Sequence, residues 1–201
     1  FNNTGLDFLA TGDGDVNLKW MDWQVPFTTG VNDVLTVILD GDCSFDAFTV
    51  SSGDTLDLNG QRAEFSGELE VNGDVDTANA LIVTTGSGTV DFNPGTWTGS
   101  TGDIILGGSG TFGLYSNHFT NVLIDTTGTV TQDTAYGHGA DNWIVGAGTL
   151  TGKQNAVDNY TIATGGTLTA GSYTYTVSEN WKSSGGLIGK SALDLDGSTE
   201  Y

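Results

Sequence analysis

A single cysteine, a single methionine, two prolines and five basic residues in 201 positions mark what this sequence does without. Cys43 has no partner within the chain, so stability has to come from packing or assembly rather than from an internal disulfide. Next to Phe45 it reads as a small buried residue. Five Lys plus Arg against 25 Asp plus Glu leave a formal charge of −20. Phosphate backbones need a basic face, so nucleic-acid binding is excluded, and anionic headgroups and polyanionic sugars are disfavoured on the same ground. Long apolar runs are missing too. Nothing approaches the roughly 18–20 residues of a membrane span, and no membrane insertion is expected. No signal peptide is visible; opening on Phe1 without Met, the chain reads as processed or as part of something longer. Helix signals are nearly absent, because no glycine-free window of about ten residues carries an apolar stripe at helical spacing.

What is abundant is glycine, 31 residues, about twice the usual ~7%. It recurs in a phrase. Gly88-Thr89-Val90, Gly110-Thr111-Phe112, Gly128-Thr129-Val130, Gly148-Thr149-Leu150 and Gly166-Thr167-Leu168 follow one another with glycine spacings of 22, 18, 20 and 18. Each follows an apolar, β-rich run such as Ile104-Ile105-Leu106 or Trp143-Ile144-Val145. Valine, isoleucine, threonine and aromatics suit a pleated sheet, and glycine allows the sharp corners between strands. Thr55-Leu56-Asp57-Leu58 and Glu68-Leu69-Glu70-Val71 alternate acidic or polar with apolar, as half-buried strands do.

The fold class is therefore all-β. A fixed period near 20 residues without helices predicts a β-solenoid, whose stacked coils each bury one step of a common apolar column. A β-sandwich or jelly roll is the alternative, since it also uses short strands. In the solenoid, Leu56, Val90, Phe112, Val130, Leu150 and Leu168 face inward, and Thr89, Thr111, Thr129, Thr149 and Thr167 form one stacked ladder. The repetitive region spans 35–190. Residues 1–34 read as an irregular N-terminal cap or assembly segment, and 191–201 as a linker or the start of a following β-domain. Trp20, Met21, Trp23 and Phe27 crowd the cap, and large apolar side chains of this kind favour interfaces, so self-association is expected there.

Chemistry is thin. Gly107-Gly108-Ser109-Gly110 lacks the lysine of a phosphate loop and reads as a turn. His118 and His138 lie one period apart but have no accompanying thiol or carboxylate pattern. Thr11-Gly12-Asp13-Gly14-Asp15 and Asp40-Gly41-Asp42 are the places calcium would choose, through Asp13, Asp15, Asp40 and Asp42, although neither completes a calcium loop. No other cofactor is expected. Two carboxylates suffice for a glycosidase, yet lyases of acidic sugars need cations around the substrate, and Arg62 is the sole arginine. The scattered acids read as a solvated surface, and no enzyme is expected.

The phrase Thr49-Val50-Ser51-Ser52-Gly53-Asp54-Thr55-Leu56-Asp57-Leu58-Asn59-Gly60, with the repeats around it, resembles the repetitive β-rich segments of bacterial surface proteins and marine phage structural proteins. Ser191-Ala192-Leu193-Asp194-Leu195-Asp196-Gly197-Ser198-Thr199-Glu200-Tyr201 is similar to the opening strand of laminin-G/concanavalin-like domains. These resemblances imply a non-enzymatic structural or interaction protein of a virion or cell surface, of the phage decoration, fibre or spike kind. Its partners would be itself, other virion or surface proteins, or host glycans. The alternatives are a glycan-binding extracellular adhesin or filament subunit, and a polysaccharide-active β-helix enzyme.

Overall fold

The computed structural model describes residues 8–19, 26–86, 89–92, 97–98, 101–113, 118–132, 139–152, 157–169, 175, 177–184 and 187–189. Every strand pairing in it is parallel, with register partners 17 (Asn142 and Asn159) to 22 (Val90 and Phe112) residues apart. This is a β-solenoid. A sandwich or jelly roll would need antiparallel neighbours, and the described residues have none.

Three flat faces make up the stack. The first runs through Phe8–Ala10, Phe27–Thr29, Phe48–Val50, Leu69–Val71, Val90–Phe92 and Gly110–Gly113. The second runs through Cys43–Phe45, Arg62–Phe65, Leu81–Thr84 and Asp103–Leu106. Two long strands, His118–Gln132 and Gly139–Thr151, then carry the second face directly into the first. Val157–Ile162 and Val177–Ser183 extend the second face, while Gly166–Thr169 and Leu187–Gly189 extend the first. The third face holds Gly14–Leu18, Leu35–Leu39, Thr55–Asp57, Asp74–Asp76 and Trp97–Thr98. The strands before residue 35, the boundary read from the sequence, already pair in this stack.

The strands are short because the sequence alternates in steps of two between corners. Phe48-Thr49-Val50 and Leu69-Glu70-Val71 each bury their outer two residues and turn the middle one outward. Stacking then places like on like. Phe27 and Phe48 lie 4.7 Å apart with rings 8° from parallel, and Phe45 stacks on Phe65 at 5.5 Å. Deeper along the axis Trp143 lies between Val122 and Tyr160, and Tyr160 stacks on Trp181 at 4.8 Å. Leu56, Val90, Phe112, Val130, Leu150 and Leu168 are all at most 3% exposed, as the repeat spacing required.

The threonine ladder departs from expectation. Thr129, Thr149 and Thr167 are in register, but Thr111 pairs with Thr131, two residues beyond Thr129. Thr131, Thr151 and Thr169 continue that second line. The step arises where the strand His118–Gln132 rounds its corner, with register irregularities on either side of Asp125 and the Thr126 hydroxyl accepting the Gly128 N–H at 3.0 Å. A slip of two leaves the inward and outward faces unchanged, whereas a slip of one would invert them. It has one cost. Gln132 takes the place opposite Phe112 and is buried with neither amide atom hydrogen-bonded.

Tyr160 is a second buried polar misfit: it is fully buried and its hydroxyl has no partner. Burial, reinforced by Tyr175, holds its phenol well above the ordinary 10.0. Tyr160→Phe is therefore expected to leave stability unchanged or raise it by about 1 kcal/mol. Above pH 10.0 the unfolded chain releases the phenol proton while the folded chain keeps it. Stability should thus fall through this group by about 1.4 kcal/mol per pH unit until the folded-state value is passed. Urea unfolding of both proteins on either side of that pH checks this: the difference should grow with alkalinity, and a variant that is less stable at neutral pH would refute the orphan hydroxyl.

Candidate functional site

Aspartates first define the corners. Asp13 Oδ1 accepts the Val34 N–H at 3.0 Å, Asp33 Oδ2 the Gly12 N–H at 3.0 Å, Asp54 Oδ1 the Leu35 N–H at 2.9 Å, and Asp42 Oδ1 the Arg62 N–H at 3.0 Å. Each bond joins one coil to the next, satisfying a backbone donor that a corner takes out of the strand ladder. Asp40 Oδ2 lies 3.3 Å from Lys19 Nζ. The residues proposed for calcium thus fall in two places: Asp13 and Asp15 at the start of the strand Gly14–Leu18, Asp40 and Asp42 beyond the far end of its neighbour Leu35–Leu39. Among the described residues no three His, Cys, Asp or Glu side chains converge. Cys43 is buried, its thiol 3.2 Å from the Gly41 carbonyl.

Of the expected self-association set, Phe27 is 0% exposed, stacked on Phe48 and edge-on to Phe45. Its side chain belongs to the core rather than to an interface. Trp20, Met21 and Trp23 lie outside the described residues, as do His138 and 191–201. His118 pairs in register with Gly139.

The most organised outer surface is the second face. Along one line, Asp103, Asn121, Asn142, Asn159 and Asn180 occupy the same strand position on successive coils. Their side chains form a chain of hydrogen bonds. Asn121 Nδ2 donates to Asp103 Oδ1 at 2.7 Å, Asn142 to Asn121 Oδ1 at 2.9 Å, Asn159 to Asn142 Oδ1 at 3.1 Å, and Asn180 to Asn159 Oδ1 at 2.7 Å. All amides point one way, so each bond polarises the next. At ~0.5–1.5 kcal/mol apiece such bonds stiffen the stack without burying anything large.

No known family, characterised protein or solved structure matches this chain. Its site has to be read from its own geometry.

Two residues further along each strand runs a second line: Ser44, Glu64, Val83, Ile105, Leu123, Ile144, Thr161 and Lys182. The four aliphatic members are half-buried, packed by their neighbours on the sheet yet open on the outer side. Arg62 pairs with Glu64 near the first end. The sequence marks these runs only as apolar and β-rich, because Leu81-Ile82-Val83, Ile104-Ile105-Leu106 and Val122-Leu123-Ile124 are apolar at inward and outward positions alike. The asparagine ladder had a sequence signal, an Asn before the inward residue in Asn121-Val122, Asn142-Trp143, Asn159-Tyr160 and Asn180-Trp181. A void bounded by Thr84, Leu106, Phe112 and Val130 measures about 10 Å³, room for one water and no substrate.

Proposed function

We propose that this chain is a non-enzymatic structural and interaction element of a virion or cell surface, of the decoration, fibre or spike kind. It serves as a stiff rod whose flat sides join other copies or other surface proteins. The observation that carries the reading is the second face, where an unbroken hydrogen-bonded asparagine line lies beside a line of half-open aliphatic residues. A surface that repeats at every coil suits repeated contact with a partner better than it suits one reacting bond. The acidic composition, −20 overall, supports it, since net charge far from zero keeps such a rod soluble.

The test pairs localisation with turnover. Antibodies against the chain should label the surface of the particle or cell that makes it, and incubation with neutral and acidic polysaccharides should release no new reducing ends. Release that disappears on replacing a single carboxylate pair would overturn the reading in favour of a β-helix hydrolase or lyase.

A further inference from the structure

The aliphatic line on the second face has a symmetry that its own composition does not require. Counted by register, Leu123 lies midway between its two charged members: Ile105, Val83 and Glu64 lie one, two and three coils to one side, with Ser44 one coil beyond, and Ile144, Thr161 and Lys182 lie one, two and three coils to the other. The one acid and the one base of the line thus stand equally far from Leu123.

We propose that this face pairs with the same face of a second copy, the two solenoids running in opposite directions about a two-fold axis along the Leu123 rung. The inference rests on the structural reading above and names the surface it uses. In that arrangement Leu123 meets Leu123, Ile105 meets Ile144, and Glu64 of each copy meets Lys182 of the other. The neighbouring line is compatible as well: Arg62 falls opposite Asn180 and Asp103 opposite Asn142. Running the copies in the same direction would instead set Glu64 on Glu64 and Lys182 on Lys182, which charge disfavours. Two-fold self-complementarity of this kind is the commonest way identical chains associate.

The charge of the whole chain opposes pairing, but this face is where the opposition is smallest. Of the described basic residues, Lys19, Arg62 and Lys182, two stand on it. Asp125, exposed at the corner beside the central rung, is the one like-charge meeting, and it lies at the solvent edge. At physiological ionic strength a Debye length of ~8 Å confines the remaining repulsion to near neighbours. The face is small. Seven rungs at ~4.8 Å and four residues at ~3.3 Å give roughly 400 Å² per copy, about half of a standard interface. Pairing is accordingly weak and concentration-dependent.

Sedimentation velocity over a wide concentration range tests this, with circular dichroism confirming that each variant is folded. The native chain should shift from monomer to dimer as concentration rises. Leu123→Glu, an outward and half-open position, should weaken dimerisation at least about tenfold, as loss of a central contact does. Lys182→Glu should weaken it as well, and Glu64→Lys combined with Lys182→Glu should restore it. A monomer at every concentration, a dimer indifferent to Leu123→Glu, or a charge exchange that fails to rescue would each overturn the pairing. None of these results bears on the structural reading itself, which polysaccharide turnover decides.

Discussion

Trp143→Ala is expected to destabilise the protein by about 3–5 kcal/mol, the usual loss for a fully buried large aromatic. The side chain is 0% exposed, sits between Val122 and Tyr160 in the stack, and reaches across to Phe112 with ring centroids 5.8 Å apart. Removing it leaves a void that parallel coils cannot close, because their spacing is set by backbone hydrogen bonds ~4.8 Å apart. Set against a total of about 5–15 kcal/mol for an ordinary domain, the loss is large. Trp143→Phe should lose far less, since the indole N–H it removes is buried without a partner. Equilibrium unfolding in urea of the three proteins gives the ranking. A loss below about 1 kcal/mol for the alanine variant would show that this column is not the core.

Gly108→Ala should be almost as damaging, for the opposite reason. A Cβ at this position would overlap the carbonyl of Gly86 on the preceding coil, and one at Gly86 would overlap the carbonyl of Ser66 in turn. The Gly86 carbonyl is also fixed, accepting the Ser109 N–H at 3.1 Å. Overpacking against backbone cannot be relieved by a rotamer change, so a loss of about 3 kcal/mol is expected. Gly12→Ala is the control. It has φ +101° but open space around its Cβ, and strain alone should cost roughly 1 kcal/mol. Melting the two variants side by side separates crowding from backbone strain; equal losses would refute the close approach.

Gly107-Gly108-Ser109-Gly110 was legible as a corner, yet the reason for glycine there was not. Composition suggests left-handed backbone, whereas Gly108 is needed because another coil's peptide passes against it. The same limit applies throughout. The period and the inward positions of Val130, Leu150 and Leu168 follow from local alternation, which a sequence displays. Register does not, because glycine spacings of 22, 18, 20 and 18 conceal a two-residue step that only the pairing of Thr111 with Thr131 reveals. Asp13 and Asp42 looked like ion ligands because their backbone partners, Val34 and Arg62, stand about one coil away in sequence. Likewise the opposition of Glu64 and Lys182 about Leu123 exists only once seven strands are placed in order, so no local motif could have announced it.

The direction of the hydrogen bonds has a mechanical consequence. In a parallel stack they lie along the solenoid axis, so tension applied between the two ends is carried by hydrogen bonds and side-chain packing in series. Each coil stores about 20 residues, roughly 70 Å of extended chain, within a rise of ~4.8 Å. Detaching one coil therefore lengthens the tether more than tenfold relative to the rise it occupied, while the coils behind it keep their own contacts. Anchored at both ends, such a rod yields one loop at a time, dissipating a sudden pull in successive small ruptures.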